Sequence, residues 1–115
     1  MRAIVYKICA KTHWRAAEHD GVFRGVAVDL RDGYIHFSAA DQVEETAARH
    51  FAGQDDLVLI AVDAQALGPA LKWEASRDGA LFPHLYGELP LTAVLEVHDL
   101  PRGDNGRHRF PPLNP

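Results

Sequence analysis

The residues best suited to chemistry lie close together in Tyr34-Ile35-His36-Phe37-Ser38, where an imidazole and a hydroxyl share one face of an alternating segment. Tyr34, His36 and Ser38 point one way while Ile35 and Phe37 point the other, so a polar face opposes an apolar one. A strand end placed just before a helix would set backbone N–H groups and the positive end of the helix dipole beside His36 and Ser38. That setting suits an anionic or ribose-phosphate ligand. Ser38 has a second reading as a cap, because Ser38 and Asp41 form a Ser-x-x-Asp capping-box pattern with Asp in place of the usual Glu. For His36 the plain alternative is a histidine satisfied inside its own sheet.

Two further groups follow. Trp73-Glu74-Ala75-Ser76-Arg77-Asp78-Gly79 places a carboxylate on a strand beside an arginine, which reads either as part of a site or as a solvated sheet face. Phe82-Pro83-His84-Leu85-Tyr86-Gly87 reads as a loop whose side chains are costly to expose. It is expected to fold back on the domain and form a cavity wall, with His84 and Tyr86 lining it.

Other chemistries find little footing. No His-Glu-x-x-His is present, and His13, His19, His50, His98 and His108 fall on helix ends, a last strand and the tail, so no metal is expected. Glycine-rich phosphate loops and a Gly-x-Ser-x-Gly elbow are absent. The single cysteine, Cys9, lies in an apolar run and is expected to be a buried, inert thiol rather than a nucleophile. A net charge of −4 argues against general nucleic-acid binding, although it leaves room for a local basic pocket. No run approaches the roughly 20 apolar residues of a membrane span, so a cytoplasmic protein is expected.

The elements that must position these residues follow from periodicity. Arg2 to Cys9 alternates as a strand, with Ile4, Tyr6 and Ile8 on one face and Val5 and Lys7 on the other. Thr12 is the expected N-cap of a helix from His13 to Asp20, stopped by Gly21. Val22 to Leu30 reads as an irregular connection with one short strand, and Asp32-Gly33 as a turn. A helix is predicted from Ala39 to Phe51, with an apolar stripe of Ala40, Val43, Ala47 and Phe51. Leu57 to Val62 is an unbroken apolar run, the pattern of a strand buried on both faces. One helical turn should break at Gly68-Pro69, followed by a strand from Leu71 to Ser76, turns from Arg77 to Pro90, and a last strand from Thr92 to His98 with Leu95 and Val97 on one side. The expectation is a single small α+β domain over residues 1–100, a split twisted sheet with two main helices, and a loose proline-rich tail over residues 101–115.

The order Tyr-Lys-Ile, a Trp-bearing helix, Asp-Gly-Tyr-Ile-His-Phe-Ser, Trp-Glu and Phe-Pro-His-Leu-Tyr-Gly-x-Leu-Pro-Leu resembles the bacterial family catalogued as domain of unknown function 952, over residues 4 to 97. More remotely, Ile35-His36-Phe37-Ser38 and Val62-Asp63-Ala64 are similar in layout to the C-terminal lobe of the NAD-dependent RNA 2′-phosphotransferases and to ADP-ribosyltransferases. That resemblance implies an ADP-ribosyltransferase-like fold with NAD or a related nucleotide in a central cleft. Lys7 departs from it, standing where the relatives carry a histidine or arginine followed by glycine. It further implies Glu74 and His36 as catalytic residues, Glu74 stabilising an oxocarbenium-like transition state during ADP-ribosyl transfer or hydrolysis. Lys7 or Arg77 would meet the pyrophosphate, Ser38 and His36 the ribose hydroxyls, and His84 and Tyr86 the rest of the ligand. The alternative is a non-catalytic module using the same cleft for a nucleotide, metabolite or protein.

Overall fold

The structure, a computed structural model, describes residues 3–115, the side chain of Arg77 excepted. The elements in chain order are β1 (Ile4–Ala10), α1 (Lys11–Asp20), β2 (Val22–Phe23), α2 (Ala27–Asp32), β3 (Ile35–His36), α3 (Val43–His50), β4 (Leu57–Asp63), α4 (Ala64–Leu67), β5 (Leu71–Ala75), β6 (Leu81–Leu85), β7 (Leu89–Pro90) and β8 (Val94–Asp99).

The apolar run at Leu57–Asp63 is the middle strand of an antiparallel sheet ordered β1-β4-β8. Its alternate residues feed two cores. Val58, Ile60 and Val62 join Val5, Trp14 and Phe23 on one side, while Leu57, Leu59 and Ala61 join Ile8, Val43 and Ala47 on the other. A second sheet, ordered β3-β6-β5, turns Ile35, Leu85 and Trp73 into the first core. Reciprocal backbone bonds between Tyr6 and Ser38, at 2.8 and 2.9 Å, join the two sheets along the outer edge of β1.

Several expectations give way here. The stretch read as an irregular connection, Val22 to Leu30, holds the start of α2, which runs on to Asp32 and whose six residues are too few to show a helical period. The segment read as turns contains β6, the middle strand of its sheet. Pro83 is tolerated there because its carbonyl accepts from Phe37 N–H at 3.0 Å, so the position without an N–H faces the side where β3 has already ended. Helix α3 starts at Val43 rather than Ala39, because Gln42 Oε1 takes the Ala39 N–H at 2.9 Å and closes a turn instead. Ser38 therefore caps nothing; its hydroxyl bonds Thr46 Oγ1 at 2.8 Å. Helix α1 begins at Lys11 with Ala10 as N-cap, leaving Thr12 inside the first turn.

In β8 the pairing jumps from Ala61–Glu96 to Val62–Val94, so Leu95 is the extra residue of a bulge. The regular alternation expected of Thr92 to His98 is broken there, and Leu95 and Val97 are both exposed. The tail is not loose. Phe110 and Leu113 pack on the second core, Tyr6 Oη exchanges bonds with Asn114, and Arg102 makes a two-pronged pair with Asp55 at 2.7 and 3.0 Å.

Cys9 sits in the first core as expected, 2 % exposed, and burial pushes its thiol up to about 11 against the opposing pull of Lys7. The native protein is therefore expected to resist an aromatic disulfide reagent at pH 8 and to react fully once unfolded in guanidinium. Labelling of native protein at the rate of the unfolded chain would contradict this burial.

Candidate functional site

Alternation along the second sheet gathers the polar residues on one face. The register sets His36 opposite His84 and Lys72 beyond it, with Glu74 opposite Phe82. Tyr34 stacks on His84 with ring centroids 4.1 Å apart, and the His36 and His84 rings meet edge to face at 5.6 Å. The three sequence groups thus converge: His36, Glu74, His84 and Tyr86 form one connected cluster.

Each histidine is held by carboxylates, but differently. His36 Nδ1 lies 2.7 Å from Asp29 Oδ1 and Nε2 lies 2.9 Å from Asp32 Oδ2. Both ring nitrogens face acceptor-only oxygens, so both contacts are donated bonds only when the ring carries two protons. His84 Nδ1 lies 2.9 Å from Glu74 Oε1, which also accepts from Tyr86 Oη at 2.7 Å. These bonds, from His84 first and Tyr86 second, hold the Glu74 carboxyl below the usual range. Glu74 in turn pushes the Tyr86 phenol up.

The anchor of the whole arrangement is Asp29, which sequence reasoning passed over. It is 2 % exposed and bridges Lys7 Nζ at 3.0 Å, His36 and the Val26 N–H. Burial alone would push its carboxyl up. The His36 bond, the Lys7 charge and the two backbone donors outweigh that and bring it down to about 2. Lys7, 5 % exposed, is drawn below its usual value by burial despite Asp29. Gly25 makes room for this pair: its φ is +108°, and a Cβ there would stand 2.7 Å from the Asp29 Cβ. The signal that could have revealed Asp29 was its place at the third position of a short helix closed by Gly33, whose φ of +86° is the usual glycine stop.

Beside this face opens a cleft of about 650 Å³. The edge of β1 forms its floor, including Lys7 and Cys9. One wall comes from α2 with Val28, Arg31 and Asp32; another comes from the end of α3 with Thr46, His50 and Phe51. His36, Ser38, Phe82 and His84 close the remaining side. Beyond the Tyr6–Ser38 pair, strand alternation turns the N–H and C=O of Ile8 to the same outer edge, toward the cleft.

Of the sequence-predicted residues, His36, Ser38, Lys7 and His84 line the cleft. Glu74 and Tyr86 do not line it but are tied to it through the Glu74–His84 bond, and the Arg77 side chain lies outside the described residues. Arg31, His13 and His50 line it without having been singled out. Arg31 had no motif to mark it; the two histidines were set aside as helix ends.

A family model described as a protein of unknown function, DUF952, matches residues 8–97. The chain belongs to the DUF952 family. The structure is similar to that of protein CC0527 from Caulobacter crescentus. Its crystal structure is 51% identical, with a TM-score of 0.89 over 92% of this chain and 93% of that one. The solution NMR structure of CC0527 is 52% identical, with a TM-score of 0.82 over 90% of each chain. No curated protein matches the chain. Among the described residues, no helix of this DUF952 member is long and apolar enough to cross a membrane.

Proposed function

We propose that this DUF952 protein binds a nucleotide-class small molecule in the cleft, NAD or ADP-ribose being the compounds to which its ADP-ribosyltransferase-like sequence features point. The observation that carries this reading is the cleft itself. Its volume of about 650 Å³ lies in the range of sites that enclose a drug-sized ligand. Its walls offer apolar and ring surface from Val28, Phe51 and Phe82, and its floor offers the backbone edge at Ile8.

The charges suggest an orientation. Lys7 is committed to Asp29 inside the protein, so it is poorly placed to hold a pyrophosphate. Arg31 lines the cleft with its side chain 72% exposed and, among the described residues, is paired with its neighbour Asp32 at 3.0 Å. Phosphate oxygens would meet Arg31, and the nucleoside end would lie inward. Isothermal titration is expected to give saturable one-site binding of ADP-ribose and of adenosine. Arg31→Ala should weaken ADP-ribose about tenfold, the worth of one charge-assisted bond, and leave adenosine unchanged. Absence of saturable binding of NAD, ADP-ribose and adenosine up to millimolar concentration would overturn the proposal.

The position of Glu74 favours binding over glycosidic cleavage. A glutamate that stabilises an oxocarbenium ion must touch the ribose, and Glu74 is not among the residues that line the cleft. Nicotinamide release from NAD is therefore expected at background level, the same in Glu74→Gln as in the parent. Release that falls in Glu74→Gln would favour the transferase reading.

A further inference from the structure

His36 and His84 look alike in sequence and differ in what they leave free. Both nitrogens of His36 are taken by carboxylates. His84 is 4 % exposed and has one nitrogen engaged: Glu74 is an acceptor, so Nδ1 must carry the proton, and in the neutral ring Nε2 is then a bare lone pair. Among the described residues, none bonds that Nε2, and the ring lines the cleft. A buried imidazole with one acceptor nitrogen opening on a cavity asks for a donor.

We infer that His84 Nε2 is the acceptor by which the cleft selects a hydroxyl donor on its ligand, of the ribose type, with Glu74 as the positioning residue that fixes the tautomer. Tyr86 and Tyr34 complete the mounting. Tyr86 Oη bonds the same Glu74 oxygen at 2.7 Å, and the Tyr34 ring lies against the imidazole and limits its rotation. Three groups thus set the direction of one lone pair, as second-sphere carboxylates orient imidazoles elsewhere. The inference rests on the proposed nucleotide binding and adds what makes it selective.

Two measurements on the intact protein test it. Long-range proton–nitrogen NMR of the ring nitrogens, without ligand, should show His84 with a protonated Nδ1 and a bare Nε2; the opposite tautomer overturns the inference. Titration calorimetry should then show adenosine binding about tenfold more tightly than 2′,3′-dideoxyadenosine, because the deoxy ligand leaves Nε2 unpaired. His84→Ala and Glu74→Ala should bring that ratio to about one, while Glu74→Gln, which keeps an acceptor oxygen for Nδ1–H, should restore it. A purely structural Glu74 would change stability and leave the ratio alone. Equal binding of the two nucleosides by the parent protein overturns the acceptor role and keeps nucleotide binding; failure of both to bind overturns the two together.

Discussion

Asp29→Ala is expected to remove about 3–5 kcal/mol of folding stability in urea denaturation, because it leaves Lys7 as a buried charge with no counter-ion. The same substitution also orphans the Val26 and His36 backbone N–H groups, which now donate to the carboxylate at 2.9 and 3.0 Å. Against a typical total of about 5–15 kcal/mol, such a loss brings the fold close to its limit. The pair should be strongly non-additive. Lys7→Met with Asp29→Asn removes both charges and keeps an acceptor oxygen, so the double variant should lose less than Asp29→Asn alone. Additive losses would contradict a coupled buried pair.

The same carboxyl sets an acid limit. It titrates at about 2 in the fold against 3.8 ordinarily, so on acidification the unfolded chain takes up the proton first. Its contribution is complete above about pH 4 and drains away as pH falls through about 2, roughly 2 kcal/mol in all. The acid transition of an Asp29→Asn variant should lack this step.

Deletion of residues 101–115 is expected to cost about 3 kcal/mol, read as a lowered midpoint of thermal or chemical unfolding. The truncated chain loses Phe110 and Leu113 from the second core, the Asn114 bonds to Tyr6 Oη and the Arg102–Asp55 pair. Tyr6 matters most among these, since its backbone also joins the two sheets. A loss under about 0.5 kcal/mol, the range of an ordinary surface change, would mean that the tail does not hold the core.

What the sequence disclosed was set by length and continuity of pattern. The strand at Leu57–Asp63 is legible because burial on both faces writes an unbroken apolar run. The polar face of Tyr34 and His36 is legible because two-residue alternation survives even where the ladder is short. Helix α2 is illegible for the opposite reason: six residues make under two turns, and its buried position is an aspartate, not an aliphatic side chain. Strand β6 was hidden by Pro83, whose meaning depends on which side its missing N–H faces. Ser38 matched a local capping pattern that lost to a nonlocal one, its backbone being claimed by Tyr6 and its hydroxyl by Thr46. For the site, the residue types were readable and their division of labour was not. Nothing in the chain order says that Asp29 and Asp32 take both ring nitrogens of His36 while Glu74 takes Nδ1 of His84.

Backbone amide NMR during titration with ADP-ribose bears on the cleft as a ligand site without requiring any reaction. The expected result is saturable shifts confined to Ile8, Val28, Arg31, Phe82 and His84, with the exposed edge at Leu95 and Val97 unmoved. Shifts that fail to saturate, or that gather on β8 instead of the cleft, would contradict the account.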